Sequence, residues 1–402
     1  MAKAYHRSVS AVPVAVVSSK GAERLRAGHP WIYRSDVRSV AADTGDLVAV
    51  ETERGRPMGW ALWSSTSQIA LRSVGQDVDP ADETGWLRAR LAAAAAYRDT
   101  LDIDASAWRV VHAEADRLPG LIVDRYGDEG GVFLVVQTLC QGMDRRLPAI
   151  VAALSELAAP RGVLARNDPR VRRLEGLEQR IDVLAGEVPD TVEVREGRIR
   201  LRTSLREGQK TGLFLDQREN HEAAARYARG RALDAFAYQG GFALAMAGRA
   251  TSVLALDSSA ASVAAMRENA LRNGVRTIEV REANVFDELR ALESARERFD
   301  TIVLDPPAFA KNRASVARAV AGYKEINLRA IKLLSPGGVL LTCSCSYHVD
   351  EALLVDIVAD AARDAGAVLA LVEKRMQSRD HPVLVGVPET WYLKCLVLRR
   401  VS

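Results

Sequence analysis

Cysteine, lysine and aromatic side chains are all scarce in this chain, and long apolar runs are missing. Its 402 residues hold four cysteines, Cys140, Cys343, Cys345 and Cys395. That is too few for a disulfide framework, and their spacing is not that of a zinc finger. Such usage fits a reducing, cytoplasmic setting, and no metal site is expected. No stretch approaches the roughly 18 apolar residues that cross a bilayer. The opening MAKAYHRSVS lacks an apolar signal core, so no membrane association is expected. A charge excess of one sign is nearly absent: 55 basic residues face 52 acidic ones, for a net +3, which decides nothing about nucleic acid. Only about 8 of the basic residues are lysines. Arginine suits phosphate recognition, yet so lopsided a ratio first reflects genomic base composition. What is present, 48 % hydrophobic and 27 % charged residues, excludes disorder, collagen and coiled coil. The length suggests two or three domains.

Periodicity divides the chain into three parts. Residues 1–77 offer short β-like runs at Val12–Val17, Asp46–Glu51 and Gln68–Ser73, a β-rich module with 10 basic against 6 acidic residues through residue 75. The acidic tract QDVDPADETG then reads as a linker. Residues 81–195 alternate helix (Trp86–Thr100, Met143–Ala158) and strand (Trp108–His112, Gly120–Asp124, Gly131–Thr138), with a hairpin-like stretch over Ile181–Arg202, as in an α+β domain. Within it, Arg161–Arg173 sets five arginines against one aspartate. That run is either a solvated loop or a patch that contacts RNA phosphates through Arg170, Arg172 and Arg173. Residues 196–402 alternate buried strands (Ala232–Phe236, Ser252–Asp257, Thr277–Arg281, Phe299–Asp305, Gly338–Cys343) with helices at Ser259–Asn273, Arg313–Leu334 and Val349–Ala365. This is the signature of an α/β fold on a parallel sheet. The final run, Thr390–Val401, reads as a strand returning antiparallel at the sheet edge.

Ligands of such sheets sit beyond the carboxyl ends of the strands. Gly240 and Gly241 in LDAFAYQGGFALAMA would admit a ligand close to the backbone, or simply make a tight strand–helix turn. Asp257, at the second strand's tip, can accept from ribose hydroxyls or cap the next helix. Asn284 and Asp287 can bind an adenine amino group or cap in the same way. In LDPPAF (304–309) two prolines fix φ twice, holding Asp305, the Pro306 carbonyl and Phe309 toward one pocket suited to a flat heterocycle. LLTCSCSYH (340–348) carries Cys343 and Cys345 into the same crevice. They point the same way if the strand stays extended. Cys345, beyond the apolar run and flanked by serines, is either a small buried hydrophobe or, as thiolate, a nucleophile.

These motifs, with EGQKTGLFLDQREN (207–220), DRLPGLIVDRYGD (116–128), LRAGHPWIYRSDV (25–37) and DHPVLVGVPETWYLK (380–394), resemble the bacterial large-subunit (23S) rRNA cytosine-5 methyltransferases. That family is a branch of the class I S-adenosylmethionine-dependent enzymes, and the likeness runs along essentially the whole chain. It implies a Rossmann-like class I methyltransferase domain, a central α+β domain and an N-terminal PUA-like RNA-binding domain. It further implies S-adenosylmethionine as cofactor, rRNA as partner and, at family level, a homodimer. By this resemblance Asp234, Phe236 and Gly240 line the methionine end of the cofactor and Asp257 its ribose. Asn284 stands where the family commonly has an aspartate. Asp305 lies between cofactor and base, and Asp305 and Pro306 engage the base with Phe309 beside it. Phe214, Asp216 and Arg218 of LFLDQR fall near one of these pockets.

Cys345 matches the family's nucleophile, adding to C6 of cytosine so that C5 can attack the sulfonium methyl group, while Asp305 stabilises the developing charge. DPPAF has no second cysteine to assist release. Two other readings stand beside this one. One is methylation of a base nitrogen in rRNA or tRNA, which needs no cysteine. The other is a non-catalytic RNA-binding or ribosome-assembly factor on a methyltransferase scaffold.

Overall fold

The computed structural model describes residues 12–310 and 313–402. The opening MAKAYHRSVS lies outside the described residues. Three sheets and one hairpin follow one another along the chain. The first sheet has six strands within Val14–Gly75, the β-rich module read from the sequence. It also carries a helix, Ser19–Arg26, whose N-cap Ser18 accepts the Gly21 amide. The charged, glycine-containing SKGAERLR masks that helix from periodicity.

The second sheet orders its five strands Arg180–Gly186, Gly162–Asn167, Gly131–Thr138, Leu121–Asp128 and Ala107–His112, with helices Glu83–Asp99 and Leu147–Ala158 packed together against it. Here the arginine-rich run departs from a loop. Gly162–Asn167 is a strand buried along its whole length, because GVLA supplies an apolar core and Arg166 within it turns inward. Arg166 donates to the Leu205 and Gly208 carbonyls at 2.6 and 3.1 Å. The hairpin Val192–Glu196/Ile199–Thr203 crosses residue 195, joining this layer to the next through Val192, Val194 and Leu201.

The third sheet has seven strands: β1 (Arg231–Ala235), β2 (Ser252–Asp257), β3 (Ile278–Glu282), β4 (Phe299–Leu304), β5 (Leu334–Ser344), β6 (Leu369–Met376) and β7 (Lys394–Arg400), in the order β3-β2-β1-β4-β5-β7-β6. The inner strands are parallel and apolar on both faces, as burial between two helical layers requires. Helix Ala260–Arg272 ends in a Schellman motif at Gly274 (φ 65°), with Val275 N donating to Ala270 O and Gly274 N to Leu271 O, both at 3.0 Å. The C-terminal strand is antiparallel as expected, but it is not the edge. It lies between β5 and β6, and β6 (LALVEKRM), with Glu373, Lys374 and Arg375 along it, forms the charged rim that keeps an edge strand from pairing with other chains.

Register sets the functional edge. Ala235 pairs with Leu256 and with Leu304, and Leu304 with Thr342. Phe236, Asp257, Asp305 and the turn after Cys343 therefore leave the sheet at one level, where the strand order reverses between β1 and β4. No helix among the described residues is long and apolar enough to cross a membrane.

A buried polar node ties the second layer to the third. Arg218 grips Asp380 with two hydrogen bonds, 3.2 and 2.9 Å. Asp380 also accepts the Arg109 amide at 2.8 Å, and its carbonyl takes Arg98 at 2.7 Å. Arg109 in turn clasps Asp124 twice at 2.8 Å. Burial works against the Asp380 charge, but His381 and Arg218 hold its carboxyl well below the usual carboxylate range. Removing one member of such a pair strands a buried charge at a cost of about 3–5 kcal/mol. Arg218→Met should therefore lower stability to urea unfolding by about 3 kcal/mol; a loss below about 1 kcal/mol would show that Arg218 is not what compensates the buried Asp380 charge.

Candidate active site

At the carboxyl edge of β1, β2, β4 and β5 the chain encloses a cavity of about 600 Å³. Its floor is the segment after β1. Phe236 (φ 69°) and Tyr238 (φ 49°) both take the left-handed conformation, which costs an ordinary residue on the order of 1 kcal/mol. Hydrogen bonds from Ala237 N to Leu256 O (2.9 Å) and from Tyr238 N to Asp257 Oδ2 (2.9 Å) hold them there. The glycine pair is demanded by packing as well as by the turn. A Cβ on Gly240 (φ 91°) would stand 2.9 Å from the Met266 Cγ, and one on Gly241 2.5 Å from the His221 ring.

Around this floor stand Asp257, Asn284, Phe286, Asp305, Pro306, Phe309 and Cys345, faced by Glu196, Lys210, Phe214, Asp216, Gln217, His221 and Tyr392. Asp257 accepts Tyr238 N and, through Oδ1, Ser259 N at 2.8 Å. Each oxygen thus keeps lone-pair capacity for a ligand. Asn284, which lines the cavity, does cap the following helix, its Oδ1 accepting Phe286 N at 3.0 Å and Asp287 N at 3.4 Å. Phe309 packs on Tyr323 (4.7 Å) and Phe286 (5.9 Å). Strand β5 ends at Ser344, one residue before Cys345. The extended geometry that would align the two cysteines stops there. Cys343 is buried opposite Cys395, whereas half-buried Cys345 lines the cavity with Sγ 4.0 Å from the Pro306 carbonyl.

Acids dominate the electrostatics. Asp234 lies buried beneath the floor, and neither carboxylate oxygen has a hydrogen-bond partner among the described residues. Burial, then the Asp305 charge, pushes its carboxyl up to about 7. Burial and Asp216 push Asp305 up to about 6. His221 meets the Glu196 carboxylate at 2.6 Å, and that anion with Asp305 and Asp234 outweighs burial to raise the imidazole's affinity for its proton. Asp216 is held the other way. Its burial is overcome by the charges of Lys210 and His381 and by hydrogen bonds from Lys210 and the Tyr392 hydroxyl. The Cys345 thiol is pushed up to about 11 by burial and Asp305, with Lys210 opposing.

The other sequence-derived candidates are elsewhere. Arg218 is enclosed in the Asp380 node and does not line the cavity, because Asp380 and the Glu219 side claim its guanidinium. Arg172 is buried, donating to Glu178 O at 2.8 Å, to Asp144 at 2.9 Å and to the Thr138 carbonyl, so it is removed from any phosphate-facing patch. Arg170 and Arg173 are exposed, far along the chain from the cavity's lining residues. Lys210, His221, Glu196, Gln217 and Tyr392 are among the cavity residues that sequence reasoning did not single out. Lys210 sat inside the quoted EGQKTG, one of few lysines. His221 finds Glu196 across 25 residues of sequence, a contact with no local signal.

Residues 122–399, over half of the chain, match the model of the S-adenosylmethionine-dependent methyltransferases. The chain belongs to that family. Residues 15–74 match a PUA-like domain. Among full-length relatives, the ribosomal RNA large subunit methyltransferase I of Aeromonas hydrophila is 40 % identical over 391 residues, covering 94 % of this chain and 98 % of that one. That of Tolumonas auensis is 39 % identical over 383 residues, covering 93 % and 96 %. A provisionally assigned methyltransferase complexed with SAH superposes with a TM-score of 0.82 over 96 % of this chain and 99 % of its own at 18 % identity, a likeness of fold.

S-adenosylmethionine is the methyltransferase's cofactor, and the cavity's donor set fits it. The cofactor carries positive charge, and here four lining carboxylates and the unpartnered Asp234 face only Lys210 and His221. The raised Asp234 carboxyl has a consequence for the ligand-free protein. A carboxyl that binds its proton more tightly folded than unfolded adds stability below its unfolded value, near 3.8, and loses it as pH rises through about 7. Asp234→Asn does not titrate, so its stability relative to wild type should grow between about pH 4 and about pH 7 in paired thermal melts. A difference constant across that window would contradict the burial of an unpaired carboxyl.

Proposed function

We propose that this methyltransferase modifies C5 of a cytosine in large-subunit ribosomal RNA through a transient bond between Cys345 and C6 of the base. The carrying observation is Cys345 itself: a thiol in the cavity wall, beside the Pro306 carbonyl and Asp305, where a methyltransferase acting on nitrogen has no need of one. The names of the full-length relatives support the RNA substrate.

Bound S-adenosylmethionine supplies an electrophilic methyl group on a sulfonium sulfur. Around it Asp257 is suited to accept from ribose hydroxyls with its spare lone pairs. Asn284, its oxygen committed to the helix cap, would offer amide N–H donors to ring nitrogens of the adenine. Asp234 and the backbone about Phe236 and Gly240 would face the cationic methionine end. For the base, Phe309 provides a flat apolar neighbour and the Pro306 carbonyl an acceptor for the exocyclic amine. Asp305, titrating near 6, can donate its proton toward N3 as charge develops there.

Carbon 5 of cytosine is a weak nucleophile. Once the Cys345 thiol has lost its proton to water, a sulfur lone pair forms the bond to C6. The C5=C6 π pair then becomes the enamine pair that takes the methyl group. Loss of the C5 proton to water re-forms the double bond and expels the thiolate, and N3 returns its proton to Asp305. A base buried in a duplex cannot reach this cavity without extrusion, so an unpaired or flippable cytosine is the natural target. The PUA-like sheet and exposed Arg170 and Arg173 are suited to the RNA backbone.

The burial that raises the Cys345 thiol favours the competing reading, transfer to a base nitrogen without a covalent step. The two separate cleanly. Cys345→Ala should lower methylation by at least about 100-fold and abolish the adduct with RNA containing 5-fluorocytidine, while Cys343→Ala, in the core, keeps activity within a few-fold. Full activity in Cys345→Ala would establish the nitrogen reading instead.

A further inference from the structure

We propose that Lys210 is the positioning residue that opposes the Cys345 thiolate: a strained turn tied down on both sides fixes its ammonium group in the cavity wall that Cys345 shares. The inference rests on the covalent reading above.

The need is electrostatic. The acidic groups lining the cavity are Glu196, Asp216, Asp257 and Asp305, and the basic ones are Lys210 and His221. A thiolate adds one more negative charge to a site already short of cations, and a nearby cation is what makes a cysteine reactive. His221 is committed to Glu196 at 2.6 Å. Lys394 is buried near Cys345, but it donates to the Ser346 carbonyl at 2.8 Å and the Tyr392 carbonyl at 3.0 Å, holding the cysteine's loop against β7. Lys210 has Asp216 as its one hydrogen-bond partner among the described residues, which leaves ammonium donors uncommitted.

The backbone supports an assigned role. Lys210 has φ 53°, a conformation an L side chain rarely adopts and that persists only where the surroundings over-determine it. Here they do. Gly212 N closes the turn on Gln209 O at 2.9 Å. Gln209 N donates to the Tyr238 hydroxyl at 2.9 Å, and the Thr211 hydroxyl donates to Asp124 at 2.6 Å and meets Tyr126 at 3.0 Å. The side chain is held as firmly. Its ammonium lies 4.6 Å over the Phe214 ring and 5.8 Å from that of Tyr392. Asp216 anchors it through the oxygen that also takes the Tyr392 hydroxyl at 2.7 Å.

The groups acting on Cys345 are Asp305 and Asp216, which disfavour its thiolate, and Lys210, which favours it; Lys394, behind the cysteine's loop, also acts on it as a cation, and the Tyr323 hydroxyl is held neutral beside it. Lys210 makes no bond in this role. The thiol proton leaves to water, and the ammonium keeps its own protons.

The test is the pH dependence of Cys345 alkylation by iodoacetamide in the full chain without RNA, with the adduct located by peptide mass spectrometry. The other three thiols are buried. Lys210→Met should move the midpoint up by about one pH unit, slowing alkylation about tenfold below it, while Lys210→Arg stays within about threefold of wild type. Asp216→Asn, which removes an opposing anion and frees the ammonium, should move the midpoint down, and it serves if Lys210→Met does not fold. Unchanged midpoints in Lys210→Met, or in Asp216→Asn, would overturn the proposal. These readouts need no turnover, so they stand apart from the Cys345→Ala methylation assay, whose failure would remove the covalent reading alone.

Discussion

Too many acids share too little water at one edge of a parallel sheet. Register brings Asp257 and Asp305 to one level at the ends of β2 and β4, with Asp234 two residues lower on β1 between them, and Asp216 and Glu196 close over them from the preceding segment. Desolvation and mutual repulsion leave two of these carboxyls reluctant to ionise, at about 7 and about 6. The same field pushes a neighbouring thiol up to about 11 and raises an imidazole's affinity for its proton. A ligand that brings positive charge relieves all of this at once. The cavity is thus built around a cation it does not itself supply, which is the physical sense of a sulfonium cofactor in this place.

Holding the acids there is the work of the rest of the molecule. The LFLDQR segment is clamped from outside the cavity by Arg218 on Asp380 and from inside by Asp216, which takes both Lys210 and Tyr392. Asp380 reaches on to Arg98 and Arg109 of the central layer, so that layer braces the catalytic edge. The strained residues Phe236, Tyr238 and Lys210 all occur around this cavity, the first two held by hydrogen bonds to β2 and the Lys210 turn by bonds to Tyr238 and to the central layer. Strain of that kind survives only in a frame that cannot relax.

Much of this was legible in the residues. The alternation of apolar runs with helices gave the parallel sheet. LDPPAF and TCSCS fell at strand ends, so Asp305, Pro306, Phe309 and Cys345 could be assembled before any coordinates, as could Asp257 and the glycine pair. What misled was local charge. SKGAERLR hid a helix, and five arginines suggested a solvated surface where Arg166 and Arg172 are buried among carbonyls. Arginine density cannot say which way a guanidinium turns, and Arg218 beside two cavity residues faced the wrong side for the same reason. The C-terminal strand was foreseen but its place was not, because the charged edge strand β6 reads as surface. His221 with Glu196 depends on a tertiary meeting that no window of sequence contains.

The central claim, that this site methylates a ring carbon through Cys345, is tested most directly by the chemical identity of its product. The purified chain is incubated with S-adenosylmethionine and unmodified large-subunit rRNA, and the digested nucleosides are resolved by liquid chromatography and mass spectrometry. The account predicts that the new methyl group appears as 5-methylcytidine. A methylated ring or exocyclic nitrogen in its place would contradict it.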